Sequence, residues 1–227
     1  MNEPATSAHD VYAVRREIGF PPTREEWCAS EAEYDADSLV IAGQPVMQDW
    51  QRDYMHTLAD IAGGAGGAVL EVGYGMGLAT RRLLANPDVT RQVLIECHPE
   101  VHARCTQEHR REIVAGRLTV VFGFWEDVVG LLAPGSFDGV LFDTCPVEEG
   151  QMASNHYPFF SAAHRLLRPG GRLTYFGDEV TDFSDDHRER LRAAGVEDLT
   201  AITCEVNPPE HPLYWPYPTI VAPIVVR

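Results

Sequence analysis

Short apolar runs alternate along this chain with stretches in which apolar residues recur every three or four positions. The first pattern is typical of buried strands and the second of amphipathic helices. Because helical stretches separate the first five runs, the sequence predicts an α/β fold with a doubly wound, mostly parallel sheet of seven strands. The last two strands would add an antiparallel hairpin at one edge. The predicted strands cover residues 69–72, 92–96, 118–122, 137–143, 172–176, 198–206 and 219–226.

The helical stretches and the polar N-terminus suggest how the chain is divided. Residues 1–26 are polar and include Pro21 and Pro22, which predicts a flexible or lid-like arm. The remainder, residues 27–227, has the size of one domain with ample material for a core. Helices are predicted at residues 45–61, 77–85, 98–111, 125–132 and 151–167.

A glycine-dense turn joins the first predicted strand to the helix after it. Residues 71–77 read Glu-Val-Gly-Tyr-Gly-Met-Gly. Glycine lets the backbone bend sharply and lets a bulky ligand approach its N–H groups. The spacing is G-x-G-x-G and position 78 is leucine, so the nicotinamide fingerprint G-x-G-x-x-G is not met.

A second signal is the acid that ends the next predicted strand. Glu96 closes the run at 92–96, about 20 residues after the glycine turn, which is the spacing of the ribose-binding acid in doubly wound nucleotide sites. A carboxylate there could accept hydrogen bonds from both ribose hydroxyls. Glu96 could equally be a surface acid at a strand end. The turn and the acid together, in register, favour nucleoside binding.

The net charge, the apolar runs and the cysteines indicate which partners the protein can bind and in which cellular compartment it works. The formal net charge is −16, and an acidic surface repels phosphate backbones, so no nucleic-acid partner is expected. No apolar run approaches the roughly 20 residues that span a bilayer, so no membrane association is expected. Five cysteines without a C-x-x-C pair predict a reduced, cytoplasmic protein.

Four residues of metal-binding type could together hold a metal ion. The ligand types Cys97, His98, His102 and Cys105 lie close together in the sequence, three of them at helical spacing. A plain surface or core face of the helix after the second strand is the simpler interpretation. We therefore expect no metal.

Taken together, these motifs resemble the guanidinoacetate N-methyltransferase family, which also includes arginine N-methyltransferases. The family belongs to the class I methyltransferases that use S-adenosylmethionine (SAM). The resemblance runs from Trp27 to the C-terminus. It includes the segments 43–47, 54–56, 69–76, 95–97, 125–127, 137–139, 143–146, 165–171, 173–175 and 208–209.

The resemblance implies SAM as the cofactor and S-adenosylhomocysteine as its product. Glu96 suits a ribose diol, and Met47 or Trp125 suits the flat face of adenine. Glu126 could accept from the adenine amino group, or it could be a first-turn acid favoured by the helix dipole. Trp125 could also be a core indole at a helix start. The implied contacts are Trp27, Met47, Met55, Glu71, Gly73, Gly75, Glu96, Cys97, Trp125 and Glu126.

The resemblance assigns Asp143 to the guanidine group of the substrate, and we expect it to be the main catalytic residue. It ends a central strand, where doubly wound folds bind ligands. A carboxylate can pair with two guanidinium N–H groups, orient the attacking nitrogen and favour proton loss. The alternative is a cap for the following helix.

Two departures from the family bear on the substrate. Gln51 stands where the family has a second guanidine-binding carboxylate. The loop that offers backbone N–H groups to the guanidinoacetate carboxylate carries Asp178 and Glu179 here. These acids could be solvated loop residues or substrate-binding residues. The departures weaken the expectation of guanidinoacetate itself.

The sequence therefore predicts a SAM-dependent N-methyltransferase that acts on the guanidine of a small molecule, L-arginine or an arginine derivative. Guanidinoacetate is one alternative substrate, and a protein arginine side chain is another. A non-catalytic SAM-binding partner protein is an alternative of a different class. The sequence leaves a homodimer open.

Overall fold

A computed structural model describes residues 13–152, 156–196, 198–209 and 214–227. Residues 1–12 of the predicted arm lie outside this part. The rest of the arm forms helix α1 (Ala13–Ile18), a loop and the first turn of α2 (Arg24–Ala29). Thr23 caps α2, since its side chain accepts the N–H of Glu26 at 3.1 Å.

A small antiparallel sheet follows the two helices. Its strands β1 (Ala32–Tyr34), β2 (Ser38–Ile41) and β3 (Gln44–Gln48) pair in chain order. The prediction of a helix from residue 45 is therefore wrong at its start, because β3 and a 3₁₀ turn at Asp49–Gln51 precede the helix. The apolar residues of β3 match a strand period as well as a helical one.

The central sheet has seven strands in the order β6-β5-β4-β7-β8-β10-β9. The first five strands run parallel, and β10 is antiparallel to both β8 and β9. The predicted mixed, mostly parallel sheet with an antiparallel C-terminal edge is confirmed. The strands are β4 (Gly67–Val72), β5 (Val89–Glu96), β6 (Leu118–Phe122), β7 (Phe137–Phe142), β8 (Leu167–Tyr175), β9 (Asp198–Glu205) and β10 (Thr219–Val226).

Helices cover both faces of this sheet, which explains why the central strands are apolar on both sides. Val69 and Leu141 pack with residues of α3 and α4, whereas Leu70 and Val140 pack with residues of α8 and α9. In the described part of the chain, no helix is long and apolar enough to cross a membrane. The helices are α3 (Arg52–Gly63), α4 (Leu78–Ala85), α5 (Pro99–Glu108), α6 (Arg110–Val114), α7 (Trp125–Val128), α8 (Phe160–Leu166) and α9 (Asp185–Ala193).

Two predicted helices are shorter or divided. The stretch at 98–111 breaks at His109, where φ is −106°. The helix predicted at 151–167 begins as α8 only after a 3₁₀ turn at Tyr157–Phe159, which contains Pro158. Proline lacks an N–H and is tolerated only at a helix start, so its position limits how early the helix can begin.

Candidate active site

The glycine turn between β4 and α4 brings two strand ends together. Gly73, Gly75 and Gly77 have φ values of 92°, 55° and 71°, a region that side chains rarely adopt. A Cβ on Gly73 would lie 1.9 Å from the backbone oxygen of Asp143, and one on Gly75 would lie 2.7 Å from the Met47 methyl group. Glycine is therefore required at position 73, where the chain passes close to the end of β7, and at position 75, where it passes close to Met47.

A first cavity opens at this turn, along the carboxyl ends of β4 and β5. It encloses about 720 Å³, including the space at its mouth, which is the size of a small-molecule site. Its walls are mostly apolar, with a few polar groups. Of the predicted cofactor residues, it is lined by Trp27, Met47, Gly73, Gly75, Glu96, Cys97, Trp125 and Glu126.

Glu96 is held in place by backbone donors on both sides. Its Oε2 accepts the N–H of Tyr74 at 2.9 Å and its Oε1 accepts the N–H of His98 at 2.8 Å. Burial raises the pKa of Glu96 and the backbone donors oppose that rise. Each carboxylate oxygen has two acceptor positions, so both can accept a further hydroxyl. The arrangement suits a diol in the cavity.

Helix α2 contributes Trp27 to the wall of the first cavity. Trp27 is 3% exposed, and its Nε1 has no hydrogen-bond partner among the described residues. Arg24 donates to Glu126 at 2.8 Å, and the Cys28 thiol donates to the Cys97 carbonyl at 3.6 Å. A buried indole N–H at the wall of a cavity has a donor to offer to a ligand.

Two predicted cofactor residues do not line this cavity. Met55 is 1% exposed and packs in the core between α3 and the sheet. Glu71 is 1% exposed and accepts hydrogen bonds from Thr80 at 2.8 Å and from Gln92. Burial raises the pKa of Glu71 to about 8. Neither side chain lines the first cavity, and their contact with the cofactor stays a prediction.

Asp143 follows β7 directly and lies where two cavities adjoin. It lines the first cavity and a second one of about 660 Å³ on its other side, which is also within the range of small-molecule sites. The N–H of Asp143 donates to the Val72 carbonyl at 3.0 Å, which fixes it against β4. Burial raises the pKa of Asp143 to about 7, and the positive charge of Arg15 opposes that rise.

The second cavity contains two of the three other predicted substrate residues. Gln51 and Asp178 line it, together with Arg15, His156, Tyr214 and Trp215. The side chain of Gln51 is 2% exposed, and its Oε1 accepts the N–H of Gln48 at 2.7 Å.

Glu179 is directed elsewhere. Its carboxylate accepts the N–H of Ser184 at 2.9 Å and lies 3.6 Å from Nδ1 of His187. Its backbone oxygen accepts the N–H of Val221 at 2.9 Å. Glu179 lines neither cavity. Its place in the structure matches the alternative of a loop residue.

Arg15, His156 and Tyr214 line the second cavity, although the sequence did not single them out. Arg15 belongs to the predicted arm, His156 precedes the 3₁₀ turn before α8, and Tyr214 lies in the aromatic loop between the last two strands. They are far apart in the chain, and no local motif marks them. The loop at 214–217 reads Tyr-Trp-Pro-Tyr, an aromatic composition that could have pointed to a packed segment there.

The residues weighed as metal ligands have other contacts. His98 Nε2 is 2.9 Å from the Ser30 carbonyl oxygen, and His102 packs edge-on to Phe122. Within the ranges that the structure describes, no three His, Cys, Asp or Glu side chains gather as a metal site.

Comparisons with known proteins agree with this architecture. Spermidine synthase from Thermotoga maritima has a similar structure, with a TM-score of 0.60 and 17% identity over 83% of this chain. This chain spans 65% of the length of that protein. TYW2 from M. jannaschii, solved in complex with AdoMet, has a TM-score of 0.57 and 11% identity over 87% of this chain and 84% of that one.

A third solved structure and a family model also match this chain. The O-methyltransferase TomG from Streptomyces achromogenes, solved in complex with SAM, has a TM-score of 0.51 and 21% identity over 79% of this chain and 80% of that one. At these identities the structures establish a shared fold. The model of the guanidinoacetate N-methyltransferase family matches residues 21–227.

The first cavity fits the cofactor of such enzymes. It offers a buried carboxylate at Glu96 for a ribose, an indole N–H at Trp27 that has no partner within the described ranges, and apolar walls for a purine. The family match covers nearly the whole chain and the sheet has the strand order of class I methyltransferases. The chain therefore belongs to the guanidinoacetate N-methyltransferase family of SAM-dependent N-methyltransferases.

Proposed function

We propose that this protein methylates a guanidine nitrogen of a small molecule, L-arginine or an arginine derivative. The observation that carries the proposal is the position of Asp143. A half-buried carboxylate lies at the carboxyl end of a central strand and lines both the cavity of the glycine turn and the cavity beside it. One group can therefore reach a substrate in the second cavity while bordering a cofactor in the first.

Cofactor binding in this proposal uses the residues that line the first cavity. Glu96 accepts from the ribose hydroxyls, Trp27 donates through its indole N–H, and Met47 and Trp125 flank the adenine. SAM supplies an electrophilic methyl group on its sulfonium. Met55 and Glu71 act beneath the turn, where Glu71 holds Thr80 and Gln92.

Asp143 positions the nucleophile and takes its proton. A guanidinium has a pKa above 12 and delocalised lone pairs, so its nitrogen is a poor nucleophile until a proton leaves. The carboxylate accepts N–H groups of the guanidinium and aligns one nitrogen with the methyl carbon. As that nitrogen forms its bond to carbon, Asp143 receives the released proton and passes it to solvent. Its pKa of about 7 suits a base that works near neutral pH.

The walls of the second cavity favour arginine over guanidinoacetate. Gln51 can accept a guanidine N–H through its amide but adds no charge, so Asp143 alone balances the guanidinium. Asp178 lines the same cavity and would repel a carboxylate brought close to it. Arginine is longer and carries an α-ammonium that suits this acid. Glu179, which faces Ser184 and His187, has no part in the proposal.

Two rival functions differ in what they require. A protein arginine methyltransferase needs an open groove for a peptide, whereas the second cavity is lined by large buried side chains, including Tyr214 and Trp215. A non-catalytic SAM-binding protein has no need of Asp143 between the two cavities.

A single-turnover assay with radiolabelled SAM and an excess of enzyme tests the proposal. Transfer of label to L-arginine within one turnover would support it. Tight SAM binding without transfer to any guanidine offered would identify a SAM-binding protein and contradict the proposal. Transfer to a protein substrate but not to free arginine would support the protein-directed rival.

A further inference from the structure

The second cavity contains a buried guanidinium of its own. Arg15 of α1 is 6% exposed although it belongs to the predicted arm. Its Nη1 lies 3.3 Å from the Cys145 sulfur and 3.4 Å from Oε1 of Gln44, and its guanidinium carbon lies 5.1 Å from the centre of the Tyr214 ring. These three contacting groups are uncharged, whereas the Asp143 carboxylate of the same cavity interacts with Arg15 through its charge. Because Asp143 is also the proposed partner of the substrate guanidinium, an anion on the ligand would restore the balance of charge at Arg15.

The backbone around Arg15 is held firmly enough to keep the side chain there. Gln44 Nε2 donates to the carbonyl oxygens of Arg15 at 2.9 Å and of Gly19 at 2.7 Å. Gln44 itself is fully buried. The same glutamine therefore anchors the end of α1 and contacts the guanidinium, which makes Arg15 a built part of the cavity wall.

Two further polar groups of this cavity have no partner among the described residues. They are the hydroxyl of Tyr214, which is 8% exposed, and Nε2 of His156, which is 4% exposed. Burial raises the pKa of Tyr214 well above its usual value, so its hydroxyl keeps a proton to donate. Burial lowers the pKa of His156 to about 3, so its ring is neutral and can donate through one nitrogen.

We infer that Arg15 and Tyr214, with His156 on the same wall, form a subsite for the carboxylate of the substrate. This inference rests on the proposed function, because it names the second end of the same substrate. Arginine complements the cavity charge for charge, since its two cations face Asp143 and Asp178 and its carboxylate faces Arg15.

The subsite also gives the arm a function. The residue that recognises the carboxylate is carried by α1, before the family-matched segment at 21–227. A substrate with a carboxylate would add an ion pair between α1 and the ligand, whereas one without it would leave Asp143 as the counter-charge of Arg15. Alternatively, the Arg15 guanidinium could occupy the place of the substrate guanidinium and block the cavity. Removing it would then increase the turnover of every substrate.

The test compares L-arginine with agmatine, which is arginine without its carboxylate. We expect the intact protein to have a kcat/KM for arginine roughly 10- to 100-fold above that for agmatine, the range for hydrogen bonds to a charged group. Arg15→Gln should abolish most of this difference by lowering arginine turnover alone. Tyr214→Phe should reduce it in part. Arg16→Gln, on the exposed side of the same helix, is the matched control.

Binding measurements separate this inference from the proposed function. Calorimetry with S-adenosylhomocysteine present gives the affinities for arginine and agmatine whether or not either is methylated. If neither is methylated, the proposed function fails, and the carboxylate subsite is judged by the difference in affinity alone. Equal affinities in the intact protein, or an equal loss of both in Arg15→Gln, would overturn the inference. A gain in turnover of both substrates in Arg15→Gln would show that Arg15 blocks the cavity and overturn the inference as well.

Discussion

Asp143 is the single residue on which the proposed chemistry depends most. Its pKa is raised to about 7 by burial, so its carboxylate is the minor form in acid and the major form above neutrality. Because only the charged form can accept the proton, kcat/KM should rise with pH through about 7 and then level off. Burial raises this pKa in the free enzyme already. Because kcat/KM reports the ionisation of the free enzyme, the increase with pH should be seen in kcat/KM.

Removing the charge of Asp143 should remove both the activity and this pH dependence. Asp143→Asn keeps the shape, and we expect kcat to fall by about 10²-fold or more, as for other general bases and charge-stabilising groups. SAM affinity should change much less. A folded Asp143→Asn variant that retains most of its turnover would show that the carboxylate is not the base.

For the binding of the cofactor, the prediction concerns Glu96. Its two oxygens accept the N–H groups of Tyr74 and His98 and face the first cavity. Glu96→Ala should weaken SAM binding by about 1.5–3 kcal/mol, the usual size for hydrogen bonds to a charged group. Calorimetry measures this directly, with the melting temperature as a control for folding. An unchanged affinity would remove the ribose contact from the account.

At the scale of elements, the glycine turn is required by the packing of β4 against the end of β7. Gly73→Ala would place a Cβ 1.9 Å from the Asp143 backbone oxygen at a φ of 92°. Gly116→Ala is the matched control, since its φ is 74° and nothing lies within 4 Å. Only the first substitution forces β7 and Asp143 to shift.

The two variants should therefore differ in stability. Gly116→Ala should cost about 1 kcal/mol for its backbone conformation, which lowers the melting temperature by roughly 2–4 °C in a protein of this size. Gly73→Ala should lower it several-fold more or prevent folding. Similar melting temperatures for the two variants would contradict the close approach of the turn to Asp143.

Elements with a strong local signal could be predicted from the sequence. The run at 69–72 and the glycines after it specify a strand, a turn and a helix within about 15 residues, because backbone geometry and hydrophobic period agree there. The sheet of β1–β3 could not be predicted. Its strands have three to five residues, and the apolar residues of β3 also fit a helical period. Pro158 was the available signal that α8 begins late.

At the scale of the whole molecule, the site is assembled from segments that share no local pattern. Glu96 was found because it ends a strand at a recognisable distance from the turn. Arg15 lies 130 residues from Cys145 in the chain, and only tertiary packing brings them to 3.3 Å. Glu179 follows Asp178 directly, yet packing turns it to Ser184 and His187. The homodimer and the division at residue 26 remain predictions.

The charge pattern of the second cavity makes the central claim measurable. L-Arginine and guanidinoacetate compete at equal concentrations for the enzyme and labelled SAM, and mass spectrometry reads the methylated products. We predict mainly methylarginine, because Asp143 and Asp178 can face its two cations, whereas guanidinoacetate has one cation and no α-ammonium for Asp178. A higher kcat/KM for guanidinoacetate would contradict this account of the substrate.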